Sequence, residues 1–151
     1  MIEKNVTKVA IAESDAKNVL YVTCWRSTDR YTSRKENCSY AEANTGGVYR
    51  STGGGTSWTR VSDQPQCDGL AIDPSNTAVV YTGSADGRDV ALTDSPGVYR
   101  TTDGGRTWHR YNRGLSNTRI RCITIAPGER GLIYVGTIGG GLHKSIGPSR
   151  Q

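Results

Sequence analysis

One ordered set of fragments occurs three times along this chain, and that internal repetition limits the fold more than any other feature. The first fragment, Val9-Ala10-Ile11-Ala12-Glu13-Ser14, returns as Leu70-Ala71-Ile72-Asp73-Pro74-Ser75 and as Ile123-Thr124-Ile125-Ala126-Pro127-Gly128. In each copy apolar residues alternate until a polar or Pro/Gly cluster stops the run, the pattern of a strand entering a turn. The second fragment follows after a few turn residues: Asn18-Val19-Leu20-Tyr21-Val22, then Ala78-Val79-Val80-Tyr81-Thr82-Gly83, then Leu132-Ile133-Tyr134-Val135-Gly136. Together the two predict a hairpin.

A third fragment, Gly47-Val48-Tyr49-Arg50, recurs as Gly97-Val98-Tyr99-Arg100 and more loosely as Gly141-Leu142-His143-Lys144. The fourth is led by tryptophan, Trp58-Thr59-Arg60-Val61 and Trp108-His109-Arg110-Tyr111, and the third repeat ends before reaching it. Four short antiparallel strands recurring about every 50 residues predict an all-β chain, a β-propeller of four-stranded blades with about three blades per chain. The reading places one domain over residues 1–151, with repeats at approximately 5–63, 64–114 and 115–148. A helical solenoid would need a 3.6-residue periodicity that the sequence lacks. Composition agrees: 19 Gly, no Phe and an apolar fraction resting on Val, Ile, Leu, Tyr and three Trp favour short strands and many turns.

Between the third and fourth strands stand Ser51-Thr52-Gly53-Gly54-Gly55-Thr56-Ser57-Trp58 and Thr101-Thr102-Asp103-Gly104-Gly105-Arg106-Thr107-Trp108. A short carboxylate here can accept backbone N–H groups of its own turn, glycine supplies positive φ, and tryptophan anchors the next strand, so the segment reads as a hairpin clamp. The structural positions are Ser51, Gly55 and Trp58 in the first copy and Thr101, Asp103, Gly105, Thr107 and Trp108 in the second. Gly53 in place of Asp predicts a weaker first clamp.

These segments resemble the Asp-box of BNR-repeat propellers, with likenesses to xyloglucanase-like glycoside hydrolases, sortilin-type (VPS10) domains, sialidases and a photosystem II assembly factor. The resemblance implies a propeller with the Asp-box away from the functional face, and it is nearly silent on activity because the group holds enzymes, receptors and assembly factors. In the xyloglucanase-like hydrolases a catalytic Asp lies four residues before the apolar residue of the Val-Tyr-Arg fragment. Here that position is Asn44, Asp94 and Ile138, so the resemblance makes Asp94 the catalytic candidate. Glycoside hydrolysis needs a second carboxylate at a defined separation. Asp86 and Asp89 share the loop with Asp94, and a symmetric dimer would supply a second Asp94.

Inserts of different length interrupt the repeats, residues 26–46 in the first and 84–96 in the second, and variable loops on a constant scaffold are where function usually sits. Trp25, Arg26, Tyr31 and Tyr40 form a mix that either stacks on sugar rings or grips a protein partner, or else packs the loop against its blade behind a Cys24–Cys38 disulfide. Asp86, Arg88 and Asp89 are the binding candidates of the second loop. The arginine of Val-Tyr-Arg is expected to cover strand edges and to pair with carboxylates.

The net charge is +5, carried more by arginine than by lysine. Arg100, Arg106, His109, Arg110, Arg113, Arg119 and Arg121 are relieved only by Asp103, yet strand alternation splits them between faces, which argues against a nucleic-acid stripe. The four cysteines include no Cys-x-x-Cys pair and the two histidines are far apart, so neither a metal nor a cofactor is expected. Cys67 and Cys122 read as small buried hydrophobes. No run approaches the roughly 20 apolar residues of a membrane span, and Met1-Ile2-Glu3-Lys4 offers no signal-like stretch, which leaves the compartment unspecified.

Three blades cannot close a ring, so the chain is expected either to associate with copies of itself or to be a piece of something larger; two chains would make a dimer of six blades, with residues 2–7 of a partner able to supply the third blade's missing strand. The expected function is a non-catalytic scaffold using loops 25–46 and 84–96 to hold a carbohydrate or protein. A glycoside hydrolase is the alternative, and a protein-complex assembly factor the third.

Overall fold

The computed structural model describes residues 6–12, 18–24, 46–63, 67–84, 97–126, 128–129 and 131–144. Among these every regular element is a strand: β1 (Val6–Ala12), β2 (Val19–Cys24), β3 (Gly47–Ser51), β4 (Thr59–Ser62), β5 (Cys67–Asp73), β6 (Asn76–Ser84), β7 (Gly97–Thr101), β8 (His109–Arg110), β9 (Ile120–Ile125), β10 (Ile133–Thr137) and β11 (Gly141–Lys144). They make three antiparallel sheets, β1-β2-β3-β4, β5-β6-β7-β8 and β9-β10-β11. The chain is a partial propeller of three sheets, two of them four-stranded. With no helix among the described residues, none is long and apolar enough to cross a membrane.

The three repeats superpose down to one irregularity. The first strand of each sheet carries a bulge residue at the same place, Thr7, Asp68 and Arg121, skipped by the ladder between the pairs Val6–Cys24 and Lys8–Thr23, Cys67–Ser84 and Gly69–Gly83, and Ile120–Thr137 and Cys122–Gly136. Such a bulge twists a strand and fixes its register. It therefore equates Val6, Cys67 and Ile120, then Val9, Leu70 and Ile123, then Ile11, Ile72 and Ile125.

Side-chain alternation gives each sheet a forward face, toward the next repeat, and a backward face. Tyr21, Val19 and Val48 point forward from the first sheet and meet Cys67, Val80, Leu70 and Ile72 of the second. From the second sheet Val79, Tyr81 and Val98 meet Ile120, Ile123, Ile133 and Val135 of the third. Burying each such aliphatic side chain stabilises by about 1.5–3 kcal/mol, so these two interfaces are the core.

Gly69 and Gly83 lie opposite one another on the forward face of the second sheet and leave a slot there. Ile120 and Ile123 fill it: a Cβ on Gly69 would stand 2.8 Å from Ile123 Cγ1, and one on Gly83 would overlap Ile120. The glycines are therefore required by close approach between sheets rather than by their φ angles.

Three expectations need correction. Val6 and Thr7 do not leave to complete another sheet, because both belong to β1, and the Thr7 hydroxyl contacts Thr23 Oγ1 at 2.8 Å and donates to the Cys67 carbonyl at 3.0 Å. Cys122 is exposed, since it points forward from the third sheet, whereas Cys67 is wholly buried and burial pushes its thiol up to about 12. Among the described residues Arg50 and Arg100 lie over rings rather than against carboxylates, with the Arg50 guanidinium 5.8 Å from the Tyr21 centroid and that of Arg100 5.7 Å from Tyr81 and 5.8 Å from Tyr111. A weakly hydrated planar cation is favoured on a ring face at such half-buried positions.

Candidate functional site

Cys24 pairs with Gly47 and Ser84 with Gly97, so the segments 25–46 and 85–96 leave from and return to the same end of adjacent sheets. Asp94, Trp25, Arg26, Tyr31, Tyr40, Asp86, Arg88 and Asp89 lie outside the described residues, as does Cys38. Their roles stand as expectations from sequence.

At the opposite end lie the β3–β4 and β7–β8 turns. In the second, Thr101 Oγ1 accepts the amides of Asp103 and Gly105 at 3.3 and 3.0 Å. The Asp103 carboxylate accepts the Thr101 hydroxyl at 2.7 Å, the Thr107 amide at 3.0 Å and the Thr107 hydroxyl at 2.6 Å. Gly104 and Gly105 turn the chain with φ of 74° and 95°. In the first turn Ser51 Oγ accepts the amides of Gly53 and Gly55 at 3.3 and 2.9 Å, which reproduces the serine half of the clamp without a carboxylate at Gly53.

Donors converging on Asp103, first the Thr107 hydroxyl and then the Thr107 amide, hold its carboxyl well below the usual carboxylate range. A depressed folded-state pKa contributes stability above the unfolded value near 4, and that contribution is lost as pH falls through the lower folded value. Asp103→Asn is expected to melt below the wild type at pH 7, with the gap narrowing steadily in melts taken at pH 4, 3 and 2. A gap independent of pH would show that the charge of Asp103 has no part in the clamp.

The two tryptophans that follow the turns behave differently. Trp58 Nε1 donates to the carbonyl of Gly55, in its own turn, at 3.0 Å. Trp108 Nε1 donates at 2.8 Å to the carbonyl of Val61 in the preceding sheet. Gly105 follows it across: a Cβ there would come 2.7 Å from Val61 Cβ. The 101–108 turn thus leans on β4 of the first sheet.

That lean encloses a cleft of about 460 Å³ lined by Arg50, Thr52, Ser57, Thr59, Arg60, Val61, Gly104, Gly105 and Arg106. Arg60 Nη2 donates to the Gly46 carbonyl at 2.8 Å, which orients its guanidinium and leaves further donors beside those of Arg50 and Arg106. Arg50 is half-buried and its Nε–H is buried with no hydrogen-bond partner among the described residues. Beneath it, burial pushes the Tyr21 phenol up, and the charge of Arg50 and a hydrogen bond from it pull the other way. The Tyr21 hydroxyl donates to the Thr77 carbonyl of the second sheet at 3.3 Å, which ties the cleft floor across the sheet junction.

Three arginines beside three hydroxyl side chains, with no carboxylate among the described residues lining the cleft, make an electropositive site with several neutral donors and acceptors. Carboxylate or sulfate groups suit it. A smaller hollow of about 140 Å³ includes Asp73 and Glu129, but Asp73 caps its own turn, accepting the amide and hydroxyl of Ser75 at 2.8 and 2.6 Å. No three His, Cys, Asp or Glu side chains among the described residues converge to hold a metal.

Sequence reading placed binding at the other end of the blades and missed this cleft. The available signal was Gly53: without a carboxylate in the first turn, nothing within that turn offsets the neighbouring Arg50 and Arg60.

Comparison with solved structures agrees with the architecture. The chain is similar to the GH74 enzyme of Niastella koreensis, with a TM-score of 0.59 and 19% identity over 87% of this chain, and it spans 21% of that structure's length. No family model matches. No curated protein matches either. At this identity the likeness establishes the propeller fold alone.

Proposed function

We propose that this chain is a non-catalytic binding scaffold whose cleft between the first and second sheets holds an acidic oligosaccharide. One observation carries the reading, a cleft lined by Arg50, Arg60 and Arg106 with Thr52, Ser57 and Thr59 and by no carboxylate among the described residues. A guanidinium lining the cleft can donate charge-assisted hydrogen bonds to a ligand carboxylate, and the hydroxyls match the alternating donors and acceptors of a sugar. Volume is consistent, since ligand sites commonly measure about 300–1,000 Å³.

Trigalacturonate is the probe. Arg50→Met keeps an apolar stem over Tyr21 and removes the charge, and calorimetric titration is expected to show affinity at least about tenfold weaker than wild type, near 1.4 kcal/mol. Equal affinity in the two proteins would remove this cleft from consideration.

The GH74 likeness in fold favours a second reading, a glycoside hydrolase or a piece of one with Asp94 as a catalytic carboxylate. Asp94→Asn separates the two. It abolishes glycan hydrolysis in a hydrolase and leaves trigalacturonate affinity unchanged in the scaffold.

A further inference from the structure

We propose that copies of this chain associate head to tail, with the backward face of the first sheet seated on the forward face of the third. The backward apolar triad of each sheet is the unit of packing. Cys67, Leu70 and Ile72 are covered by the first sheet, and Ile120, Ile123 and Ile125 by the second. The equivalent triad of the first sheet is Val6, Val9 and Ile11, which are 40%, 57% and 61% exposed.

The forward face of the third sheet repeats the surface that receives such a triad. In the second sheet that surface is Gly69 opposite Gly83, flanked by Tyr81. In the third the same register positions hold Cys122 opposite Gly136, flanked by Tyr134, and the Cys122 thiol lies over Gly136, so the depression there is shallower than in the second sheet. Leu142, on β11 opposite Gly136, adds a 72% exposed apolar side chain to this face.

Among the described residues the two exposed surfaces therefore repeat the register of the pair already joined inside the chain, with the Cys122 side chain partly filling the receiving slot. A second copy is the occupant whose backward triad is known to carry three apolar side chains at the spacing the slot receives. Because the two faces differ, the contact is heterologous, and repetition gives a ring if the rotation closes and a linear stack if it does not. No residue lining the Arg50 cleft belongs to either face, so association and ligand binding can each fail without the other.

The test combines light scattering after size exclusion with alkylation of Cys122 followed by peptide mapping. At about 50 μM the wild type is expected above monomer mass, with Cys122 alkylated at least tenfold more slowly than in Ile11→Arg, which is expected to run as a monomer. Leu142→Arg, altered on the opposite face, is expected to be monomeric as well. Circular dichroism confirms that each variant is folded. Mixing the two variants leaves one intact backward face and one intact forward face, so a one-to-one dimer should form. A monomeric wild type, variants that keep the wild-type mass, or variants that fail to recombine would each overturn the proposal.

Discussion

Gly83→Val is expected to cost about 3 kcal/mol or more, the upper end for overpacking a close-packed interior. A new Cβ overlaps the Ile120 side chain and stands 3.0 Å from Ile123 Cδ1, so the second and third sheets must separate to admit it. For a chain of this length that corresponds to a fall in Tm of about 6–12 °C. Ile120→Ala in the same molecule should recover part of the loss, because it empties the space the valine needs. Urea denaturation of the two single variants and the double variant measures this coupling. If the effects simply add, the slot is not what constrains Gly83.

The second large effect is at Trp108. Trp108→Ala is expected to cost about 3 kcal/mol, the lower end for truncating a packed aromatic because the ring is half-buried. Its Nε1–H bond to Val61 and its packing on the core between the first two sheets are lost together. Trp58→Ala should cost clearly less, since that indole bonds within its own turn and packs on the small cluster of Val22, Cys24 and Tyr49. Chemical denaturation of both variants decides it, and equal losses would mean that contact between sheets is not what Trp108 contributes.

The two tryptophans also show what a sequence can and cannot disclose. Both follow a Gly-Gly turn and both precede a fourth strand, so strand number, hairpin register and turn chemistry were legible from alternation and repetition. What distinguishes them is that Trp108 has a preceding sheet against which to donate, a relation between repeats that no single repeat encodes. Cys122 is a similar case. Both cysteines sit in strand-like runs, but the register places Cys122 at the position of Gly69 rather than of Cys67, on the forward face of the third sheet, where it is exposed.

Arg50 was legible as a repeated residue but not as part of a cleft. Its counterpart Arg100 has the same fragment around it and also leaves a buried Nε–H unpartnered among the described residues. The difference arises from the next repeat, whose Gly104 packs so close that a Cβ there would stand 3.2 Å from the Arg50 guanidinium carbon. A glycine at φ 74° lets the turn approach that closely. The loop candidates around Asp94 and Trp25 were chosen because inserts vary, a criterion that selects the opposite end of the blades.

The most direct test of the functional account is a nuclear magnetic resonance titration that follows the arginine Nε–H signals as trigalacturonate is added, with neutral maltotriose as the control. The account predicts that the Arg50 signal shifts saturably with the acidic trisaccharide and stays in place with the neutral one. A titration in which only residues of 25–46 and 84–96 respond, or in which both sugars act alike, would contradict it.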